Sequence, residues 1–404
     1  MDPLVLVVFG LVYLGMILGR LPGLALDRTG LALLGAIALL AGGRMDLDQA
    51  LGAVDLPTLA LLFGLMVVSA QFRLGGFYSR LTARLASARL APPALLALLM
   101  AVAGLLSALL ANDIVCLAMA PILVQVSARR RLDPIPFLLA LACASNVGSA
   151  ATLIGNPQNM LIGQVLRLDF GAYLLTALPP SLTGLVLAWL VIVRLYRGRW
   201  EAETPLPELD APPFNAWQTG KGLAILTALV ALFLAAPWPR EIAALTAAGL
   251  LLCSRRMRTR EMLSLVDWPL LVLFVSLFLV NHALKTGGHL EADGRFFQTA
   301  GVHLEHPAWL FGISVGLSNL VSNVPAVMLL LPYASHPLAG PVLALSSTLA
   351  GNLIVVGSIA NIIVIEQAAR LGVRISWGRH ARVGVPVTLL TTAAAGLWLW
   401  LLAR

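Results

Sequence analysis

Charge is what this chain lacks. Only 11% of its 404 residues are Asp, Glu, Lys or Arg, against about 25% in ordinary soluble domains, while 59% are apolar. That balance excludes a soluble globular fold and points to a polytopic membrane protein. Cysteine is also scarce: Cys116, Cys143 and Cys253 are odd in number and lie in apolar runs, so free thiols acting as small core residues are expected, not a disulfide framework. The six histidines are scattered without metal-ligand spacing, and no HExxH, Ser/Lys or Cys/His constellation falls at a shared depth. No enzyme is expected, no cofactor, and no metal beyond a possible sodium ion. The first apolar run follows MDPLV, which has an acid but no basic segment or small-residue cleavage site, so a retained helix is expected in place of a signal peptide. The net charge of +8 comes from basic residues in short loops between apolar runs. Membrane topology accounts for them better than a nucleic-acid partner.

What is present is a series of apolar runs long enough to span about 30 Å of hydrocarbon. They lie near 3–19, 29–43, 56–72, 135–163, 172–193, 220–236, 240–253, 267–284, 340–366 and 383–402. Two further stretches, 92–128 and 307–334, are too long for a simple span and are interrupted around Asn112 and Asn323. These read as re-entrant hairpins with irregular backbone buried at the tip. The expected fold is therefore all-α: ten transmembrane helices plus two re-entrant hairpins.

The two halves repeat. DLPTLALLFGLMVVS from Asp55 aligns with DWPLLVLFVSLFLVN from Asp267 at an offset of 212, with Arg28 and Arg44 opposite Arg240 and Arg256. SALLANDIVCLAMAP from Ser107 aligns with SNLVSNVPAVMLLLP from Ser318 at 211, and SNVGSAATLIGNPQNMLI from Ser145 with STLAGNLIVVGSIANIIV from Ser347 at 202. Three ordered matches define a repeat. Five crossings and a hairpin per half make the second copy lie upside down, giving the inverted repeat of alternating-access transporters. The first repeat spans 1–193, with scaffold spans over 1–91 and a hairpin and broken helix over 92–193. A cytoplasmic linker follows at 194–219. The inverted second repeat spans 220–404, with scaffold spans over 220–306 and a hairpin and broken helix over 307–404.

Counting Lys and Arg on this map puts 21 on one side and 6 on the other. The rich side is cytoplasmic, so both termini should lie outside, the first hairpin should enter from the cytoplasm and the second from outside.

Four interruptions should converge: the tips at Asn112 and Asn323 and the breaks TLIGNPQN (Thr152 to Asn159) and VVGSIAN (Val355 to Asn361). Gly155 lets the chain leave the helix, Asn156 is a good N-cap and Pro157 suits the next first turn. Gly357 and Ser358 are placed to do the same in the second break. Such breaks leave helix N-terminal amides to attract an anion, and freed carbonyls with Ser and Asn oxygens suit sodium. Asp113 stands in an otherwise apolar tip, where a lone charge costs about 2.5–3.5 kcal/mol. Other roles stay open: an ordinary kink at Gly155 and Pro157, interhelical hydrogen bonding by Asn146, Asn159, Asn352 and Asn361, or satisfaction of Asp113 by opposing helix ends. Asp55 and Asp267 sit at span starts two residues before a proline, where capping suffices.

The hairpins, the GNPQN break and its GSIAN mate resemble the ion transporter superfamily: divalent anion/sodium symporters, citrate-transporter-like proteins, arsenite efflux permeases and sodium/proton antiporters of the same fold. The likeness covers nearly the whole chain, and RLPGLALDRTGLALLGAIALLAGG (Arg20 to Gly43) is similar to the family's second span. In the dicarboxylate symporters each tip carries Ser-Asn-Thr, whereas here the tips read Ala111, Asn112, Asp113 and Ser322, Asn323, Val324. The AND triplet is similar to the arsenite permease tip, while SNVGSAATLIGNPQN looks more like the citrate-like and sodium/proton branches. Relatives in the superfamily are commonly dimers, so the resemblance implies a homodimer.

The reading is an ion-coupled secondary transporter of a small anion or oxyacid, citrate- or dicarboxylate-like or arsenite-like, in the cell inner (plasma) membrane and working by an elevator-like motion. A sodium/proton antiporter is the alternative; an anion channel fits two gated hairpins less well. Substrate is expected at Asn112, Ser322, Asn323, Asn156, Asn159, Ser358 and Asn361. Ion coupling, by sodium or protons, is expected at Asp113, Ser145, Asn146, Gly155, Ser347, Thr348 and Gly357.

Overall fold

The computed structural model describes residues 2–19, 25–201, 214–287, 299 and 301–404. Arg20 and Arg295, two of the charges counted for orientation, and residues 202–213 of the linker lie outside the described residues.

The described residues are all-helical. Eleven of their nineteen α-helices begin where an Asp, Asn or Ser side chain accepts a hydrogen bond from one of the first free amides, several with proline in the first turn. In the first half they are α1 (Pro3–Leu18), α2 (Arg28–Ala41), α3 (Leu47–Ala53), α4 (Leu56–Leu74), α5 (Phe77–Ser87), α6 (Pro92–Leu109), α7 (Asn112–Arg129), α8 (Pro134–Ser149), α9 (Pro157–Val165) and α10 (Phe170–Leu195). In the second half they are α11 (Ala216–Ala235), α12 (Arg240–Leu252), α13 (Thr259–Leu263), α14 (Trp268–Thr286), α15 (Pro307–Val321), α16 (Asn323–Leu330), α17 (Ala339–Ala350), α18 (Ile359–Arg370) and α19 (Trp377–Leu402). Each expected apolar run is helical, and both expected broken spans are interrupted, between α8 and α9 and between α17 and α18. Asp55 and Asp267 are caps, accepting from Thr58 N at 2.8 Å and Leu270 N at 3.0 Å. The short helices α3, α5 and α13 were not expected. Cys116 and Cys143 are buried, but Cys253 is exposed, because α12 ends at Leu252 and Cys253 caps it.

The outer surface is apolar, with Leu11, Leu51, Leu105, Leu175 and Leu389 each more than half exposed. A patch of this extent is what a lipid-facing wall requires. The exposed tryptophans Trp217, Trp238, Trp268, Trp309, Trp377 and Trp400 all stand at or beside helix ends, the depth at which indole rings sit at the membrane–water boundary. Helix α5 lines up Arg80 and Arg84 on one side of an amphipathic turn, the composition of a helix lying in that boundary.

The repeat is visible in the packing. Helices α2, α3 and α4 recur at the same offset of 212 as α12, α13 and α14, and α4 and α14 have the same 19-residue length. Helix α4 packs on α12, and its mate α14 packs on α2. The halves are therefore interlocked by exchanged partners. In the same way α6 packs on α8 and α15 on α17, while α10 and α19 pack on each other. Helices α6 and α8 touch backbone to backbone: a methyl group at Gly148 would lie 2.3 Å from Gly104 O.

Candidate functional site

The first hairpin turns at Leu110 and Ala111, both buried, and its tip docks on the first break. Asn112 N donates to Gly155 O at 3.1 Å. Ser145 Oγ donates to Asn112 O at 3.1 Å and shares a 2.8 Å hydrogen bond with Ser107 Oγ. The break itself starts earlier than the sequence indicated: α8 ends at Ser149, and turns carry the chain to Asn156. Gly155 is needed for close approach and not to end the helix, since a methyl group there would lie 2.3 Å from Ser149 O and 2.8 Å from Ser107 O. Asn156 caps α9 by accepting from Asn159 N at 2.9 Å.

Asn159 is wholly buried. Its Nδ2 donates to Thr152 O at 2.9 Å, Ser149 O at 3.4 Å and Tyr173 Oη at 3.2 Å, tying α9 to the carbonyls that α8 leaves free. In the second break Asn361 Nδ2 donates to Gly351 O at 2.7 Å and Ile354 O at 3.2 Å, the repeat-mates of Ser149 and Thr152. Both amides thus face backbone of their own half. Ser358 caps α18 by accepting from Ala360 N at 3.2 Å, and Gly357 lies in the 3-10 turn before it.

The two breaks are joined crosswise. Thr348 Oγ1 donates to Asn159 Oδ1 at 3.3 Å and accepts from Asn156 Nδ2 and Gln158 Nε2, each at 3.2 Å. Asn146, the repeat-mate of Thr348, does the same for the other break: its Nδ2 donates to Asn361 Oδ1 at 3.2 Å and its Oδ1 accepts from Ser358 Oγ at 2.8 Å. It also donates to Asn352 Oδ1 at 2.8 Å and accepts from Asn112 Nδ2 at 3.5 Å. The second tip closes the lattice. With its amide nitrogen toward them, Asn323 donates to Ser347 O and Gly357 O, both at 3.1 Å, and accepts from Gln158 Nε2 at 3.3 Å. Ser347 Oγ is spent on Leu343 O at 2.6 Å.

Thirteen of the fourteen expected residues therefore sit in or beside one buried region, with Asp113 at its margin. Asp113 is half-exposed in the first turn of α7, beside buried Asn112, and lies within electrostatic range of Asp267 at the start of α14. Among the described residues, no Lys, Arg, Asp or Glu is fully buried; the core is built from Ser, Thr, Asn and Gln. Gln158, Ser149, Tyr173 and Asn352 belong to the lattice and were not singled out as site residues from sequence. The repeat alignment held a signal for two of them, since Ser149 and Asn352 fall opposite Gly351 and Ala150 within the matched segments.

Ser322 connects α15 to α16 at φ 78°, ψ 160°, whereas its counterpart Ala111 has φ −55°. That conformation is essentially confined to glycine and costs a side-chain-bearing residue about 1–3 kcal/mol. Ser322→Gly is expected to raise the thermal midpoint in detergent and Ser322→Val to lower it, read by size exclusion after heating. A lower midpoint for the glycine variant would show that the hydroxyl outweighs the strain.

Residues 4–341 match the family described as citrate transporter. The chain belongs to the citrate transporter family. It is accordingly a multi-pass membrane transporter and not an enzyme. Among relatives of this citrate transporter family member, the 46 kDa membrane protein of Mycobacterium leprae is 30% identical over 370-odd residues, with 86% of each chain covered. The silicon efflux transporter LSI3 of Oryza sativa subsp. japonica is 29% identical over 469 aligned positions, covering 96% of this chain and 95% of the relative. Inner membrane protein YbiR of Escherichia coli is 32% identical over 348 residues, covering 83% and 86%. In fold the chain is similar to the YdaH transporter of Alcanivorax borkumensis, with a TM-score of 0.61 at 16% identity over 98% of this chain and 96% of that one.

Proposed function

We propose that the chain is an ion-coupled carrier of a small oxyacid or anion that works by alternating access. The observation that carries this reading is the convergence of two hairpin tips and two helix breaks on a core rich in amides and hydroxyls, with Asp113 at its edge and no fully buried cation among the described residues. Such a core can hydrogen-bond a weakly charged oxyacid through helix N-termini, amides and hydroxyls. A multiply charged carboxylate would find no fully buried Lys or Arg there among the described residues and would depend on backbone dipoles and any coupled sodium. This favours an oxyacid over citrate, in keeping with a relative named as a silicon efflux transporter. The hairpins and broken spans (92–193 and 307–404) move as one body against a scaffold (1–91 and 220–306) whose helices α2, α4, α12 and α14 are interlocked across the repeat. The carrier acts as a homodimer in the inner membrane, with the second repeat inverted and the linker in the cytoplasm.

Proteoliposomes test this directly by recording internal pH while sodium, arsenite, silicic acid, citrate and succinate are offered in turn. Proton movement that follows an oxyacid gradient is expected. Proton movement on adding sodium alone would favour the antiporter reading, in which Asp113 alternates between the two cations.

The 21-to-6 charge bias places residue 404 outside. A C-terminal green fluorescent protein fusion should stay dark and an alkaline phosphatase fusion should be active. Bright fluorescence would mean that the number of crossings differs by one from ten.

A further inference from the structure

The exchange symmetry of the packing is broken where the helix breaks and tips meet α4 and α14. Helix α9 packs on α4, and α16 packs on α14. The mates of these contacts, α18 against α14 and α7 against α4, have no comparable packing among the described residues. The α9 side of the moving body lies against α4, and the equivalent α18 side is not closed on α14 in the same way.

On the α9 side, two polar contacts hold this helix to the start of α12. Arg240 Nη2 donates to Gly163 O at 2.7 Å, and Gln164 Nε2 donates to Glu241 Oε2 at 3.1 Å. The repeat alignment puts Arg28 and Thr29 opposite Arg240 and Glu241, and Ile365 and Glu366 opposite Gly163 and Gln164. An arginine is kept at the helix start, and the carboxylate has moved from the scaffold to the moving span. Among the described residues no hydrogen bond joins Arg28 or Thr29 to Ile365 or Glu366, and Thr29 Oγ1 donates instead to Pro269 O at 3.5 Å. Arg28 Nε is buried with no hydrogen-bond partner, Glu366 is exposed, and neither has an ion-pair partner among the described residues. A buried guanidinium nitrogen without an acceptor is costly and is ordinarily satisfied.

We propose that Arg28, Thr29, Ile365 and Glu366 form a second latch, the repeat-mate of the Arg240–Glu241–Gly163–Gln164 latch, which closes when the carrier turns to its opposite state. Arg28 then donates to Ile365 O and pairs with Glu366, while Arg240 leaves Gly163. The two latches are exclusive. Each stabilises one state and so biases the equilibrium between them by its own strength. The latch rests on the alternating-access reading, and in the orientation proposed above the closed latch is external and the open one cytoplasmic.

Both latches join elements on opposite sides of the linker, so cutting the linker gives a readout that needs no substrate. The full chain, with Cys253→Ser and a protease site within 202–213, is treated in native membrane vesicles with a short bis-maleimide. One variant carries Gln164→Cys with Glu241→Cys, and another carries Thr29→Cys with Ile365→Cys, which leaves Arg28 and Glu366 intact. The first pair should hold the cut halves together on a denaturing gel, as its residues already touch. The second pair should also join the halves, and Arg28→Gln or Glu366→Gln added to it should each cut the joined fraction severalfold. If the second pair never joins the halves while the first does, the motion itself is absent, and both the alternating-access reading and the latch fall. If the second pair joins them with a yield that ignores both glutamine substitutions, the motion stands and the latch alone is overturned.

Discussion

Asp113→Asn is expected to abolish gradient-driven accumulation while leaving the protein folded and inserted. The side chain keeps its size and one acceptor oxygen but loses the charge that can carry a proton or ligate sodium. Folding should tolerate the change because Asp113 has no hydrogen bond among the described residues that an amide would break, and it is only partly buried. Its place in the first turn of α7 favours negative charge there by a few tenths to about 1 kcal/mol, so the loss in stability is small. The loss in coupling should be total, since the second hairpin carries buried Val324 at the matching position and offers no replacement.

The position of Asp113 also explains why it is the coupling candidate and its neighbours are not. Asn112, one residue earlier, points into the lattice and is committed to Gly155, Ser145 and Asn146. Asp113 lies within electrostatic range of Asp267 at the start of α14, so a movement of the hairpin relative to α14 would change the charge it meets. Asp267→Asn is the informative control, because asparagine is an equally good N-cap and the helix start is preserved. Accumulation against a gradient is measured in proteoliposomes across a range of pH, alongside downhill exchange. Exchange should survive Asp113→Asn, because the amides and hydroxyls that bind substrate remain. Retained accumulation with an unaltered pH profile would remove Asp113 from the coupling step.

Where chain-local chemistry decides structure, the sequence was readable. Asp55, Asp267, Asn156 and Ser358 announce helix starts because a capping side chain and the amides it satisfies lie within three residues of each other. The apolar runs announce spans for the same reason: hydrocarbon thickness sets their length. What stayed hidden was pairing between segments. Nothing local to Asn159 says that its amide turns back to Thr152 O while its oxygen meets Thr348, 189 residues away. The choice among a substrate-facing amide, an interhelical bond and a backbone staple is made by the other half of the molecule. Asn361 shows the same choice made again. Cys253 illustrates the opposite error, since an apolar run was extended one residue past the point where α12 stops.

Asn146→Ala is expected to be the most damaging single truncation in the lattice. Its side chain is bonded both to the tip of its own half and to the break of the other: it serves Asn112, Asn352, Ser358 and Asn361. Alanine would leave Asn352 Oδ1 and Asn361 Oδ1 without this donor and Ser358 Oγ without this acceptor, all in residues at most 3% exposed. Each buried polar group left unsatisfied costs about 1–3 kcal/mol, so a loss of several kcal/mol is expected. That should appear as a markedly lower thermal midpoint and little transport at growth temperature. Thr348→Ala removes one hydroxyl with three partners, Asn156, Gln158 and Asn159, and should cost less because its oxygen donates only once. Asn146→Thr places the residue of the repeat-mate at this position. Its hydroxyl can accept from Ser358 and donate to one asparagine, so it should recover part of the loss. An unchanged midpoint in Asn146→Ala would mean that water replaces these bonds readily. The core would then be a hydrated cavity and not a braced lattice.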